Sequence, residues 1–164
     1  MGRHHAPSPA RSPYITREGY DRLKAEEQAL WQKRRRVVKH LAAAAAEGDR
    51  SENAEYIYRK KQLREIDRRI RYLQKRLPEL KVVDHTPESD AQVFFGAWVT
   101  VADQQGETRC YRIVGADEFD PQRNWISVDA PMSRALLKRG LDEVVRVRLP
   151  EGEAEFEIVE IRYS

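Results

Sequence analysis

The sequence predicts an α+β chain in two parts: an N-terminal antiparallel α-helical coiled-coil hairpin, then an antiparallel β-sheet domain with one helix. Three observations predict it. Apolar residues recur in alternating steps of three and four through two long segments before residue 80. The period changes to two after Val83. The composition is 35% charged and 40% hydrophobic, too polar for one compact globule but suited to a long solvated helix pair.

The first helix is expected to begin at Thr16, with Glu18 and Asp21 early, where negative charge suits the helix dipole. Its seam is Tyr20, Leu23, Glu27, Leu30, Arg34, Val37, Leu41 and Ala44, a heptad that Glu27 and Arg34 interrupt. The Ala42–Ala46 run favours helix and is slim enough for close approach; Gly48 is a helix stop. The second seam is Tyr56, Arg59, Leu63, Ile66, Ile70, Leu73 and Leu77, closed by Pro78. A short turn between two such helices forces them antiparallel. Arms of roughly 30 residues reach about 45 Å, more than a small core requires, so the far end must serve a partner.

In the second part, Val93, Phe95, Ala97, Val99 and Val101 alternate along a strand, Asp103–Gly106 is a hairpin turn, and Thr108–Val114 returns. Trp125–Val128 is a third strand. Ser133–Arg139 is a short helix with Ser133 near its N-cap, and Val144–Leu149 and Ala154–Tyr163 are the last pair. The expected divisions are a disordered tail over 1–13, the hairpin over 14–84 and the β-rich domain over 85–164, with 84–92 as a linker. Cys110, the single cysteine, sits in an alternating pattern and reads as packing; a reducing, cytoplasmic setting fits. No apolar run is long enough to span a membrane, and the first 13 residues lack an apolar signal core.

Charge is segregated. Residues 1–84 hold 21 Lys and Arg against 12 Asp and Glu, +9; residues 85–164 hold 9 against 15, −6. Different partners are expected for the two halves. Lys61, Arg64, Arg68, Arg71 and Lys75 step along one face of the second helix, with Arg59, Lys60, Arg69 and Arg76 beside them. Glu65 and Asp67 are the acids nearby, expected to pair with Arg69 and with Arg64 or Arg71. A face of nearly one sign suits phosphates, although a solvated face is the plain alternative.

At the turn, Asp49 and Glu52 are three residues apart. As a helix start they form a capping box. As ligands they can hold a divalent cation only in part, because Mg²⁺ takes about six oxygens. The remaining ligands would come from a partner's active site, and none would be bound by this chain alone.

These residues carry a resemblance. "TREGYDRLKAE" at 16–26, "GDRSENAEYIYRKKQLREIDRRIRYL" at 48–73, "VFFGAWV" at 93–99, "YRIVGADE" at 111–118 and "ISVDAPMSRALLK" at 126–138 resemble the bacterial transcript-cleavage factors of the GreA/GreB family, GreB more closely. The resemblance implies a coiled coil that enters the secondary channel of RNA polymerase and an FKBP-like domain that contacts the channel rim. Asp49 and Glu52 match the acidic tip that places Mg²⁺ and water beside the polymerase carboxylates. The basic face, from Arg59 and Lys60 through Lys61, Arg64, Arg68 and Arg71 to Lys75, matches a patch near the extruded nascent RNA 3′ end. Asp129, Ala130 and Pro131 match the rim-contacting segment, with Ala130 where relatives often have Ser and Ser133 where they have Ala. A monomer that stimulates the polymerase's own Mg²⁺-dependent RNA cleavage is implied, not an enzyme. The alternatives are a channel-occupying regulator without cleavage activity and a free-standing nucleic-acid-binding coiled coil.

Overall fold

The computed structural model describes residues 10–47 and 53–164. They form two compact units, one of residues Tyr20–Leu80 and one that joins the chain up to Gly19 with Lys81–Ser164. Residues 14–19 and 81–84, assigned by sequence to the hairpin, thus fall with the β-rich unit.

In the helical unit, α1 (Arg17–Ala46) and α2 (Ala54–Arg76) have 30 and 23 residues, about 45 and 35 Å long. Every residue of the two expected seams is shielded. Leu23, Val37, Ala44, Ile66, Ile70 and Leu73 are buried and the rest half-buried. Val37, Ile66 and Ile70 form the central cluster, with Leu30 and Leu63 against it. The seam interruption at Arg34 has a partner: its Nε donates to Asp67 at 2.7 Å. Arg69 makes a two-pronged pair with Glu26, both bonds 2.9 Å. These pairs stand in place of the expected Glu65–Arg69 pair and of Asp67 with Arg64 or Arg71, because the facing helix offers Arg69 an acid and Asp67 a base. Both pairs are about a third exposed or more, so each contributes only about 0.2–1 kcal/mol. Their larger effect is to define the antiparallel register.

In the β-rich unit, strands β3 (Trp98–Ala102), β4 (Thr108–Val114), β5 (Trp125–Ser127), β6 (Val144–Leu149) and β7 (Gly152–Arg162) form one sheet, ordered β5-β4-β3-β7-β6. Four of the five strands pair antiparallel as expected, but β5 lies parallel to β4. The crossover from Val114 to Trp125 contains two 3₁₀ turns, Ala116–Glu118 and Pro121–Arg123, which carry the chain back to the starting end. The expected strand from Val93 is shorter. Gly96 adopts φ +87° and turns the chain, so only Trp98 onward joins the ladder, although Val93 and Ala97 are fully buried. Asp103–Gly106 is the turn expected, its Asp103 carboxylate accepting from the Gln105 and Glu107 amides at 2.9 Å.

Helix α3 (Pro131–Leu136) starts two residues before the expected helix, at Pro131. Proline suits a first helical position, since its missing N–H would have no helical partner there. Ser133 is therefore not the cap; its Oγ donates to the Ser127 carbonyl at 2.6 Å. Met132 and Leu136 seal one sheet face with Val99, Val101, Ile113, Val147 and Ile158.

The other sheet face carries a row in strict register. Arg162, Trp98, Arg112 and Trp125 lie opposite one another across β7, β3, β4 and β5. The Arg112 guanidinium sits 5.5 and 4.8 Å from the two indole centroids, and Arg162 and Arg123 cover the outer ends at 4.7 and 5.2 Å. A second, two-stranded sheet pairs β1 (Tyr14–Thr16) parallel with β2 (Lys81–Val83). Neither strand has a signal in the sequence, being three residues each.

Candidate functional site

Asp49 and Glu52 lie outside the described residues. Asn53, next to Glu52, is fixed by two hydrogen bonds. The N-cap of α2 is Asn53, whose Oδ1 accepts from Tyr56 N at 3.1 Å while its Nδ2 donates to the Ala44 carbonyl at 2.8 Å. One side chain thus satisfies an orphan amide at the start of α2 and gives a last-turn carbonyl of α1 a second donor beside Glu47 N. The capping box expected of Asp49 and Glu52 lies outside the described residues; among those described, Asn53 is the cap of α2. Sequence reasoning missed Asn53, although asparagine is a favoured cap type; its bond to Ala44 needs the other helix.

The basic row is divided by the structure. Lys60, Lys61, Arg64, Arg68, Arg71 and Lys75 are exposed. Among the described residues, Lys61, Arg64, Arg68 and Lys75 have no acidic partner. Arg71 donates its Nε to the Asp67 carbonyl at 3.4 Å. Lys60 lies 5.9 Å from the Tyr56 ring. Arg59, by contrast, is half-buried and spent within its own helix on Glu55 at 2.8 Å and Gln62 at 3.1 Å. Arg69 faces Glu26, and Arg76 is buried with Glu79 3.6 Å away. What remains outward is a run of cations at the spacing of one helix face, the arrangement that neutralises successive phosphates.

Asp129, Ala130 and Pro131 form the turn into α3. Ala130 N donates to the Ser127 carbonyl at 2.9 Å and Asp129 N to Ser127 Oγ at 3.1 Å. Ala130 and Pro131 border a cleft of about 570 Å³ whose apolar wall includes Tyr111, Ile126, Met132 and Phe156. Asp103, Glu107 and Glu151 outnumber Arg109 in its lining, so the cleft carries more negative than positive charge. Arg109 is held above the usual guanidinium range by its hydrogen bond and charge interaction with Tyr111.

Sequence reasoning missed the carboxylate of Glu118 and the partner of Asp129. Glu118, 7% exposed, accepts from Thr16 N at 3.0 Å, from Thr16 Oγ1 and from Gly115 N at 2.7 Å. Asp129 accepts from Ser12 N at 2.9 Å and from Ser12 Oγ. The expected tail to residue 13 therefore ends in fixed contacts at Ser12 and Pro13. These pairs are 102 and 117 residues apart, and no local pattern announces them.

Residues 13–82 match the family model described as Transcription elongation factor, N-terminal, and residues 88–163 the one described as Transcription elongation factor, GreA/GreB, C-term. The chain is 56% identical to Transcription elongation factor GreB of Yersinia pestis over 155 residues, covering 94% of this chain and 91% of the relative. It is 54% identical to the protein of that name from Pseudomonas aeruginosa, covering 99% and 98%. The crystal structure of the GreA factor homolog 1 protein of Thermus thermophilus is 24% identical, covers 93% of this chain and 99% of that one, and superposes with a TM-score of 0.42. Two family models that between them span nearly all of the chain from Pro13, and relatives more than half identical along it, place this protein in the GreA/GreB family of transcription elongation factors.

Proposed function

We propose that this factor binds RNA polymerase through the secondary channel and stimulates endonucleolytic cleavage of backtracked nascent RNA, rescuing arrested complexes. One observation carries the reading. The Asp49–Glu52 pair lies in the short connection between two helices of 30 and 23 residues, paired antiparallel and joined at that end by Asn53. A carboxylate pair on such a connection can be delivered into a narrow channel and need not build an active site of its own.

Asp49 and Glu52 would hold the Mg²⁺ ion together with the polymerase's own carboxylates, and one of them would orient or deprotonate the attacking water. Two carboxylates fit a shared Mg²⁺ and not a resident one, because the ion requires about six oxygens. When bound, Mg²⁺ neutralises phosphate charge and lowers the pKa of its water. Lys61, Arg64, Arg68, Arg71 and Lys75, with Lys60 beside them, attract the extruded RNA through its phosphates. Asp129–Pro131 and the cleft beside them dock on the channel rim. No helix among the described residues is long and apolar enough to cross a membrane. We place the factor in the cytoplasm with the polymerase, acting as a monomer.

The test is cleavage of end-labelled RNA in a stalled, backtracked polymerase complex, wild type beside Asp49→Ala. Wild type is expected to shorten the RNA from its 3′ end, and the variant to be slower by about a hundredfold or more while still binding. Binding by both without cleavage by either would make the protein a channel-occupying regulator instead.

A further inference from the structure

The docking turn is held from inside the chain, at the opposite end of the sequence. The Asp129 carboxylate receives both donors of Ser12, the backbone N–H at 2.9 Å and the hydroxyl. Four residues on, Thr16 repeats the arrangement on Glu118, with N–H at 3.0 Å and its own hydroxyl. Between the two grips, β1 pairs with β2, and Lys81 N donates to the Pro13 carbonyl at 2.8 Å. One short strand is thus fastened at each end by a carboxylate from a distant turn, each taking the amide and hydroxyl of a single residue. Hydrogen bonds to a charged acceptor are the strong kind, and two on one carboxylate fix its rotation as well as its position.

Asp129 is also where the chain turns into α3. Its own amide and the next one bond to Ser127, and Ser133 Oγ closes on the same Ser127 carbonyl. A side chain anchored to Ser12 and a backbone anchored to Ser127 leave the turn little freedom. Ala130 and Pro131, which present its outer surface to the cleft, inherit that rigidity.

We infer that Asp129 acts in polymerase docking as a positioning residue: its grip on Ser12 holds Ala130 and Pro131 in the shape that docks, which makes Ser12 a determinant of polymerase affinity. The inference rests on the docking reading above. It differs in saying which side chains touch the polymerase and which stand behind them.

The full-length protein is measured for affinity to a polymerase elongation complex, as wild type, Ser12→Ala, Ser12→Thr, Asp129→Ala, the Ser12→Ala/Asp129→Ala double variant and Pro131→Asp. Ser12→Ala is expected to weaken binding about tenfold, the scale of a hydrogen bond to a charged group. Ser12→Thr, which keeps both donors, restores it. The double variant binds no worse than Asp129→Ala alone, because both changes break one contact. Amide exchange at Ala130 rises in Ser12→Ala without a change in global melting. Weak binding by Asp129→Ala alongside unaltered binding by Ser12→Ala would mean that Asp129 touches the polymerase itself, and would overturn the inference. If Pro131→Asp binds as wild type does, the docking reading fails, and the inference falls with it; if only Pro131→Asp binds weakly, docking stands and the Ser12 grip is irrelevant to it.

Discussion

Single side chains do two jobs at the ends of elements in this protein. Asn53 pairs an amide of α2 and a carbonyl of α1. Asn53→Ala is expected to cost about 1 kcal/mol of stability, the usual loss of an N-cap, and to lower RNA cleavage while polymerase binding persists. Urea melts beside the cleavage assay check it. Asn53→Asp keeps the acceptor for Tyr56 and loses the donor to Ala44, so its stability should fall between the two. Glu118 is the second case, holding Thr16 and Gly115 while packed hard against Gly19. A Cβ there would overlap the Glu118 carboxylate that Thr16 and Gly115 already share. Gly19→Ala should therefore destabilise the fold by about 1–3 kcal/mol, as overpacking does, read as a lowered melting temperature. Gly115→Ala meets the backbone carbonyl of Tyr14 instead, which cannot rotate away, and should be the worse of the two.

At the scale of the element, α2 separates cations that hold the hairpin from cations that face outward. Arg69 belongs to the first set through Glu26, and Arg64, Arg68 and Arg71 to the second. Replacing the latter three by Ala should leave stability within about 0.5 kcal/mol, as for exposed surface positions. It should flatten the logarithmic salt dependence of rescue by about 2, since each single-strand phosphate contact contributes roughly 0.7. Arg69→Ala should do the reverse, lowering hairpin stability slightly and leaving the salt slope intact. Rescue of arrested complexes over a salt series, with melting curves alongside, separates the two sets. An unchanged slope in the triple variant would make the row a solvated face only.

For the whole molecule, the β-rich unit draws on both ends of the sequence, because β1 precedes the hairpin and β2 follows it. Deleting residues 1–16 should accordingly destabilise the C-terminal sheet, although no strand of that sheet is removed. Glu118 would lose its Thr16 donors, Asp129 its Ser12 donors, and β2 its ladder partner. The expected loss is several kcal/mol, at about 1–3 for each buried group left unsatisfied. Circular dichroism of the sheet during thermal unfolding reads it directly.

The sequence by itself determined the two helices and their seams, the hairpin turn at Asp103–Gly106 and the strands from Thr108 and Val144. Each of these is a local period or a local turn chemistry, written within a few residues. The Lys61–Lys75 row was legible for the same reason, as spacing along one helix; Asp49 and Glu52, in its connection, lie outside the described residues. The parallel entry of β5, the β1–β2 pair, the cap at Asn53 shared with Ala44, and the grips of Glu118 and Asp129 were decided only by tertiary structure. So was the division of the basic face, since Arg69 and Arg64 are alike in type and differ in what the facing helix offers. A hydrogen bond between residues 102 or 117 positions apart leaves no period in the sequence; it exists because packing the core brings one particular donor to one particular carboxylate.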